Sequence, residues 1–219
     1  MQFADRRQAG RWLASQLDRY RGDRSVIVLA LPRGGVPVAC EVAQALHVPL
    51  DVFIVRKLGF PGHEEFAMGA IATGGVRVMN PDLSGLHVDE ASVEAVVARE
   101  RAELARREVL YRDDRAPVTM EDRIVILVDD GLATGSTMLA AVAAVKRQQP
   151  RSVVVAVPVA APEACAALRR EVDEVVCAVT PAPFRAVGLW YADFRQVTDA
   201  EVHQLLHAAW TAEAERDQT

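Results

Sequence analysis

The run Ile124-Val125-Ile126-Leu127-Val128 constrains this chain more than any other feature, because five consecutive aliphatics leave neither face for water. Such a run fits a strand covered on both sides, as in a parallel sheet with helices above and below. Asp129 and Asp130 follow directly, at the carboxyl end of that strand, where open α/β sheets bind ligands. Next, Gly131-Leu132-Ala133-Thr134-Gly135 permits a tight curl, and Ser136-Thr137 opens a helix with Met138, Val142 and Val145 on one face. A helix start carries unpaired N–H groups and about half a unit of positive charge. With two carboxylates able to accept from a diol, these parts suit a sugar phosphate. Each piece also has an ordinary reading: Asp-Asp-Gly as a turn, Thr-Gly-Ser as an N-cap.

Around this strand, the periodicity predicts a helix over about 4–20, a strand over Ser25 to Ala30 and a helix over about 36–47. A strand over Leu50 to Val55 and a polar loop through about Glu65 come next. A hairpin then joins Ala67 to Ala72 and Val76 to Met79 around Gly74-Gly75. Asp89 to Arg112 reads as one helix, roughly 36 Å long at 1.5 Å per residue. Beyond the central strand and its helix lie a strand over Ser152 to Val157, a helix over about 162–170, a strand over Glu174 to Val179 and a helix from about Asp199. Alternating strands and helices imply an α/β fold, a doubly wound, mostly parallel sheet flanked by helices. The expected organisation is one domain over 1–219, with a core of about 24–180 and a small hood from the termini (about 1–20 and 181–219) and connections.

The 219 residues, 51% hydrophobic and 25% charged, can bury a sizeable interior. A net charge of −5 gives no reason to expect a nucleic-acid or membrane surface. Cys40, Cys165 and Cys177 are isolated and odd in number, which points to reduced thiols in a cytoplasmic protein, and no metal-ligand spacing is read from the sequence. No apolar leader is seen, and no stretch reaches about 18 uninterrupted apolar residues, so a soluble protein is expected.

Residues 124–137 fill a pattern of four hydrophobics, two acids, a short variable stretch and Thr-Gly-x-Thr/Ser, and here the chain resembles the type I phosphoribosyltransferase family. The resemblance runs from about Val26 to Val179. It implies that Asp129 and Asp130 hold the ribose 2′- and 3′-hydroxyls of phosphoribosyl pyrophosphate (PRPP). Ala133, Thr134, Gly135, Ser136 and Thr137 would hold its 5-phosphate. It also implies Mg²⁺, held chiefly by PRPP oxygens and waters, with Asp129 and Asp130 reaching it through water.

Two further loops reach the same sheet edge. Leu31-Pro32-Arg33-Gly34-Gly35-Val36-Pro37 lies between the first strand and its helix; the glycines let backbone N–H groups approach an anion and Arg33 offers a fork of donors. A connecting turn explains Gly-Gly equally well, but the segment resembles the family's pyrophosphate loop, with Arg33, Gly34 and Gly35 in the binding positions. Arg56-Lys57-Leu58-Gly59-Phe60-Pro61-Gly62-His63 reads as a loop able to change shape, with Arg56 and Lys57 placed to offset charge on pyrophosphate and Lys57 counted with Asp129 and Asp130 as catalytic. A solvated surface loop is the other reading, and His63 alone reads as exposed.

Phe184, Trp190, Tyr191 and Phe194 cluster near the end of the chain, as a wall for a stacked base or a plug over the core. In the family a variable hood receives the acceptor, so Trp190 and Tyr191 are the acceptor candidates, with Phe3 and Trp12 as a second wall. Glu100 falls within the apolar stripe Val93, Val96, Val97 and Leu104 of the long helix; it reads as a buried pairing with an arginine or as facing the acceptor pocket.

The expected activity is Mg²⁺-dependent transfer of a 5-phosphoribosyl group from PRPP to a nitrogenous, base-like acceptor with release of pyrophosphate, in a homodimer that binds neither nucleic acid nor membrane. Family members acting on 6-oxopurines usually place a lysine after the strand that follows the signature helix. Val157-Pro158-Val159-Ala160-Ala161-Pro162 has none, whereas Arg33-Gly34-Gly35 leans toward the purine branch. A PRPP-sensing regulator of the same fold is the alternative, although no basic DNA-facing surface is evident. A receiver-type signalling domain also pairs acids at strand ends but leaves Thr134-Gly135-Ser136-Thr137 unexplained.

Overall fold

The computed structural model describes residues 1–61, 63–79, 89–113 and 115–217, with the side chains of 63–66 and 217 excepted. Its elements are α1 (Arg6–Gln16), β1 (Val26–Ala30), α2 (Gly35–Leu46), β2 (Leu50–Val52), β3 (Val55–Phe60), β4 (His63–Ala72), β5 (Val76–Met79), α3 (Glu90–Arg112), β6 (Ile124–Val128), α4 (Ser136–Lys146), β7 (Ser152–Val159), α5 (Pro162–Leu168), β8 (Glu174–Val179) and α6 (Asp199–Asp217).

Five strands form one parallel sheet in the order β2-β1-β6-β7-β8. The expected doubly wound α/β fold is therefore present. Its aliphatic runs divide by parity: Val28, Ala30, Ile126, Val128, Val154 and Ala156 face a core shared with α2 and α6, while Ile27, Leu29, Val125, Leu127, Val153 and Val155 face a second core shared with α4 and α5. Two packed faces are what the run at 124–128 demanded. From β1 the chain winds outward to β2, while β6 takes up the other flank, so the gap between the carboxyl ends of β1 and β6 is a topological switch point.

Two expectations need correction. The strand over Leu50 to Val55 stops at Val52, and the segment read as a loop from Arg56 is strand β3. Val55, Arg56, Lys57 and Leu58 pair antiparallel with Ala72, Ile71, Ala70 and Gly69 of β4, and β5 completes a separate three-stranded sheet. Pro61 suggested a loop through this whole segment, yet it marks only the tip, and pairing in register is irregular only near Gly59. Gly62 and the His63 side chain lie outside the described residues. The hairpin at Gly74-Gly75 is present, both glycines at positive φ (82° and 72°).

The two ends of the chain meet, and α6 is part of the main core. Phe3 bridges Tyr191, with the Phe3 amide donating to the Trp190 carbonyl at 2.8 Å and the Ala192 amide to the Phe3 carbonyl at 2.8 Å. Val202, Leu206 and Trp210 of α6 are buried with α2 and β2, and the Trp210 indole donates to the Leu50 carbonyl at 2.8 Å. Asp51 and Arg112, 1% and 3% exposed, pair at 2.9 Å beneath this layer. Asp51 also accepts from the Val118 amide at 3.1 Å, so no oxygen of that carboxylate is left unmet.

Candidate active site

Two strand-to-helix loops meet at the switch point. The Leu31 amide donates to the Val128 carbonyl at 2.9 Å, continuing the β1–β6 pairing into the first loop. Gly34 and Gly35 then lie hard against the acid pair. A Cβ on Gly34 would fall 2.0 Å from Asp130 Oδ2, and one on Gly35 would fall 2.7 Å from the Val128 carbonyl oxygen and 3.2 Å from Asp129 Oδ1. These separations leave no room for a side chain, so both residues are glycine because of close approach; Gly34 has ordinary helical angles (φ −61°, ψ −33°). The Pro32–Arg33 peptide is cis.

The two acids differ in surroundings. Asp129 is half-buried; one of its oxygens accepts from the Asp130 amide at 2.8 Å. Burial, reinforced by the neighbouring Asp130 charge, holds its carboxyl well above the usual carboxylate range. Asp130 is also raised by burial, but the Arg6 guanidinium opposes the shift. Arg6, the first residue of α1 and 8% exposed, donates from both Nε and Nη2 to Asp130 Oδ2 at 2.8 Å. Its Nη1 reaches the Arg195 carbonyl at 2.9 Å, and its guanidinium lies 4.0 Å above the Phe194 ring. This basic partner was missed in the sequence. The signal was present, since Arg6 shares the buried stripe of α1 with Ala9, Gly10 and Leu13.

The second loop leaves its amides available. Leu132 is tied to the sheet, its amide donating to the Val159 carbonyl at 2.9 Å and its carbonyl accepting from the Ala161 amide at 2.9 Å. Among the described residues no backbone carbonyl receives the amides of Ala133, Thr134 or Gly135. Gly135 turns at φ 72° to start α4, and Met138, Val142 and Val145 of that helix are buried as expected. Lys57 extends from β3 and donates to Ser136 Oγ at 2.7 Å, and Ser136 Oγ lies 3.1 Å from Thr134 Oγ1. A lysine, two hydroxyls and the start of a helix thus share one turn, a combination chemically suited to an anion.

The other sequence candidates lie as follows. Arg56 is engaged by Glu100 on α3, at 2.9 Å from Nε and 2.7 Å from Nη2, so Glu100 has the arginine partner that its place in the apolar stripe called for. Arg33 leans toward Asp199 of α6 at 3.6 Å. Tyr191 is 4% exposed and stacks on Phe194 at a centroid distance of 5.0 Å, with its hydroxyl donating to the Asp130 carbonyl at 2.6 Å; burial raises its phenol. It therefore supports the acid pair from behind and turns no open face outward, whereas Trp190 is half-buried.

A family model described as "Phosphoribosyl transferase domain" matches residues 3–191. A Mycobacterium tuberculosis protein whose name assigns it provisionally as a phosphoribosyl transferase is 47% identical over 208 residues, covering 94% of this chain and 47% of that protein. The chain thus spans about half the length of the curated relatives it matches. A crystal structure from Thermus thermophilus shares 47% identity, with 94% of this chain and 98% of that one covered and a TM-score of 0.85. One from Aquifex aeolicus shares the fold alone, at 12% identity over 93% of this chain and 85% of that chain, with a TM-score of 0.52. An acid pair at the β6 edge, a glycine loop pressed against it and a family match spanning both lead to one statement: the chain belongs to the type I phosphoribosyltransferase family.

Proposed function

We propose that this protein transfers a 5-phosphoribosyl group from PRPP to a nitrogenous, base-like acceptor and releases pyrophosphate. The observation that carries the reading is the meeting of two anion-suited loops across the β1–β6 gap, with the acid pair between them. One donor molecule with phosphates at both ends spans such a gap. Asp129 and Asp130 accept from the ribose hydroxyls; the amides of Ala133, Thr134 and Gly135, with Ser136 and Thr137, receive the 5-phosphate. Arg33, Gly34 and Gly35 receive the pyrophosphate, flanked by Arg56 and Lys57 of β3. The contact of Lys57 with Ser136 favours a role at the phosphate end of the sugar.

Two carboxylates at a strand end are the hard oxygen donors that suit Mg²⁺, reached directly or through water. The ion supplies charge neutralisation for the departing pyrophosphate. The chain's own residues do the remainder: they fix the ribose and spread positive charge over the leaving group, so that catalysis rests on orientation and electrostatics without a covalent nucleophile. Trp190, half-buried in the hood, is the proposed acceptor contact, and Tyr191 is the floor beneath the acids.

The test is calorimetric titration of Mg-PRPP together with pyrophosphate release over a panel of nucleobases. Saturable Mg-PRPP binding that is lost in Asp129→Asn with Asp130→Asn, plus release with at least one base, supports the transferase. Binding without release for any base favours a PRPP-responsive regulator, and unchanged affinity in the double variant overturns the site.

A further inference from the structure

His203 and His207 stand four residues apart on one face of α6, and the tip of α3 brings Asp113 between them. Asp113 Oδ2 lies 3.1 Å from His203 Nε2 and 2.9 Å from His207 Nε2, and one ligand atom from each of the three residues falls within 4.8 Å of the others. The rings approach to a centroid distance of 4.2 Å, and Trp210 backs His207 edge-on at 5.4 Å. Two imidazoles at i and i+4 present their nitrogens to a common point, the arrangement that helices use to grip zinc.

Both imidazoles turn Nε2 toward Asp113. His203 Nε2 has hydrogen-bond geometry to Asp113 Oδ2, whereas His207 Nε2, shielded from solvent although its ring is partly exposed, stands 2.9 Å from the same oxygen without hydrogen-bond geometry to it. Both imidazoles thus converge on one carboxylate oxygen, and the solvent-shielded His207 nitrogen meets it only in poor alignment. Two of the three separations fit a metal. With bonds of about 2.0–2.1 Å, neighbouring ligand atoms of a tetrahedral zinc stand roughly 3.3 Å apart, close to the two separations seen at Asp113. The neighbouring cation is otherwise engaged, since Arg115 lies over Trp210 at 4.8 Å and pairs with Glu213 at 3.3 Å.

We infer that Asp113, His203 and His207 form a binding site for a divalent transition-metal ion of the zinc class, outside the PRPP site. Two imidazoles and one carboxylate give three protein ligands and leave a fourth position for water. Imidazole nitrogen selects zinc, nickel, cobalt or copper over Mg²⁺ and Ca²⁺, which take oxygen. The ion staples the end of α3 to α6. One turn before His203, on the same face of α6, Asp199 accepts from the Tyr111 hydroxyl at 2.6 Å and faces Arg33 at 3.6 Å, so the staple also steadies the helix against which the glycine loop rests.

The experiment uses the full chain, stripped with a chelator and titrated with ZnCl₂, with metal content read after dialysis. One zinc per chain, a zinc-dependent rise in Tm and at least a tenfold loss of affinity in His203→Gln with His207→Gln are expected. The three side chains are at the surface, so the metal-free variant should melt with the metal-free parent. Cobalt provides a second readout, because a four-coordinate ion bound to imidazole gives a visible absorption band that the double variant should lack. MgCl₂ in place of ZnCl₂ should leave Tm unchanged at the same concentrations. Zinc affinity equal in parent and double variant, or no uptake by the parent, overturns the assignment.

Discussion

The Asp130 carboxylate occupies the space that a side chain on Gly34 would need: Oδ2 lies 2.0 Å from the position of a Cβ there. Nearly one hundred residues separate the two in sequence, yet neither loop can be altered without moving the other. Gly34→Ala should therefore leave the sheet intact while displacing Asp130, at a cost of about 1–3 kcal/mol from overpacking. Calorimetry should show Mg-PRPP affinity reduced at least tenfold, and retention of full affinity would mean that the acid plays no part in the binding.

The pair Arg6–Asp130 predicts an effect on pH dependence. Removing the guanidinium in Arg6→Gln leaves a largely buried carboxylate without its cation, which should cost about 3 kcal/mol of stability. It should also raise the Asp130 carboxyl further, moving the acidic limb of Mg-PRPP binding to higher pH. The measurement is affinity against pH in parent and variant.

For Asp129 and Asp130 the sign runs against the usual carboxylate. Their folded values are raised by burial, so as pH falls through those raised values the folded chain takes up protons before the unfolded chain does, and stability increases until the unfolded carboxylates protonate too. Binding of Mg-PRPP favours the ionised acids, so proton release on binding is expected. Titrations in two buffers of different ionisation heat will detect it; heats independent of buffer would contradict the expectation.

Lys57 is exposed and touches Ser136, so Lys57→Ala should leave Tm nearly unchanged. Loss of one charge-assisted contact to a phosphate should weaken Mg-PRPP by about 1.5–3 kcal/mol, and affinity should become less sensitive to added salt, as a salt series would reveal.

Arg112→Leu strands the buried Asp51 carboxylate, and about 3–5 kcal/mol of destabilisation is expected. At about 2–4 °C per kcal/mol for a chain of this size, Tm should fall by roughly 6–20 °C. Adding Asp51→Leu should recover part of the loss, since an apolar pair costs less than a lone charge.

The sequence disclosed what depends on periodicity and adjacency. Ile124–Val128 could only be a strand with two covered faces, and the acids, loop and helix start follow it without interruption. Glu100 was readable as a paired acid because a charge within an apolar stripe needs a cation. Strand β3 was not readable, since Arg56, Lys57 and Pro61 mimic a solvated loop until β4 supplies the hydrogen bonds. Arg6 lies 124 residues from Asp130; its place in the buried stripe of α1 signals burial, but no local pattern names its partner. The spacing of His203 and His207 carries no message by itself, and the two meet a third polar group only when Asp113 arrives from another helix.

The bond between Arg6 and Asp130 also bears on the order in which this molecule is assembled. The sheet can be completed by residues from Val26 onward, but the neutralising guanidinium belongs to a helix made before any strand. That helix packs along α2, and Phe3, just before it, meets the segment around Tyr191, so closure of the first and last parts over the acids is a long-range event of folding. A protein shortened to begin at the first strand would lose this guanidinium together with the buried Leu13 and Leu17, and the acid pair would be left to repel itself.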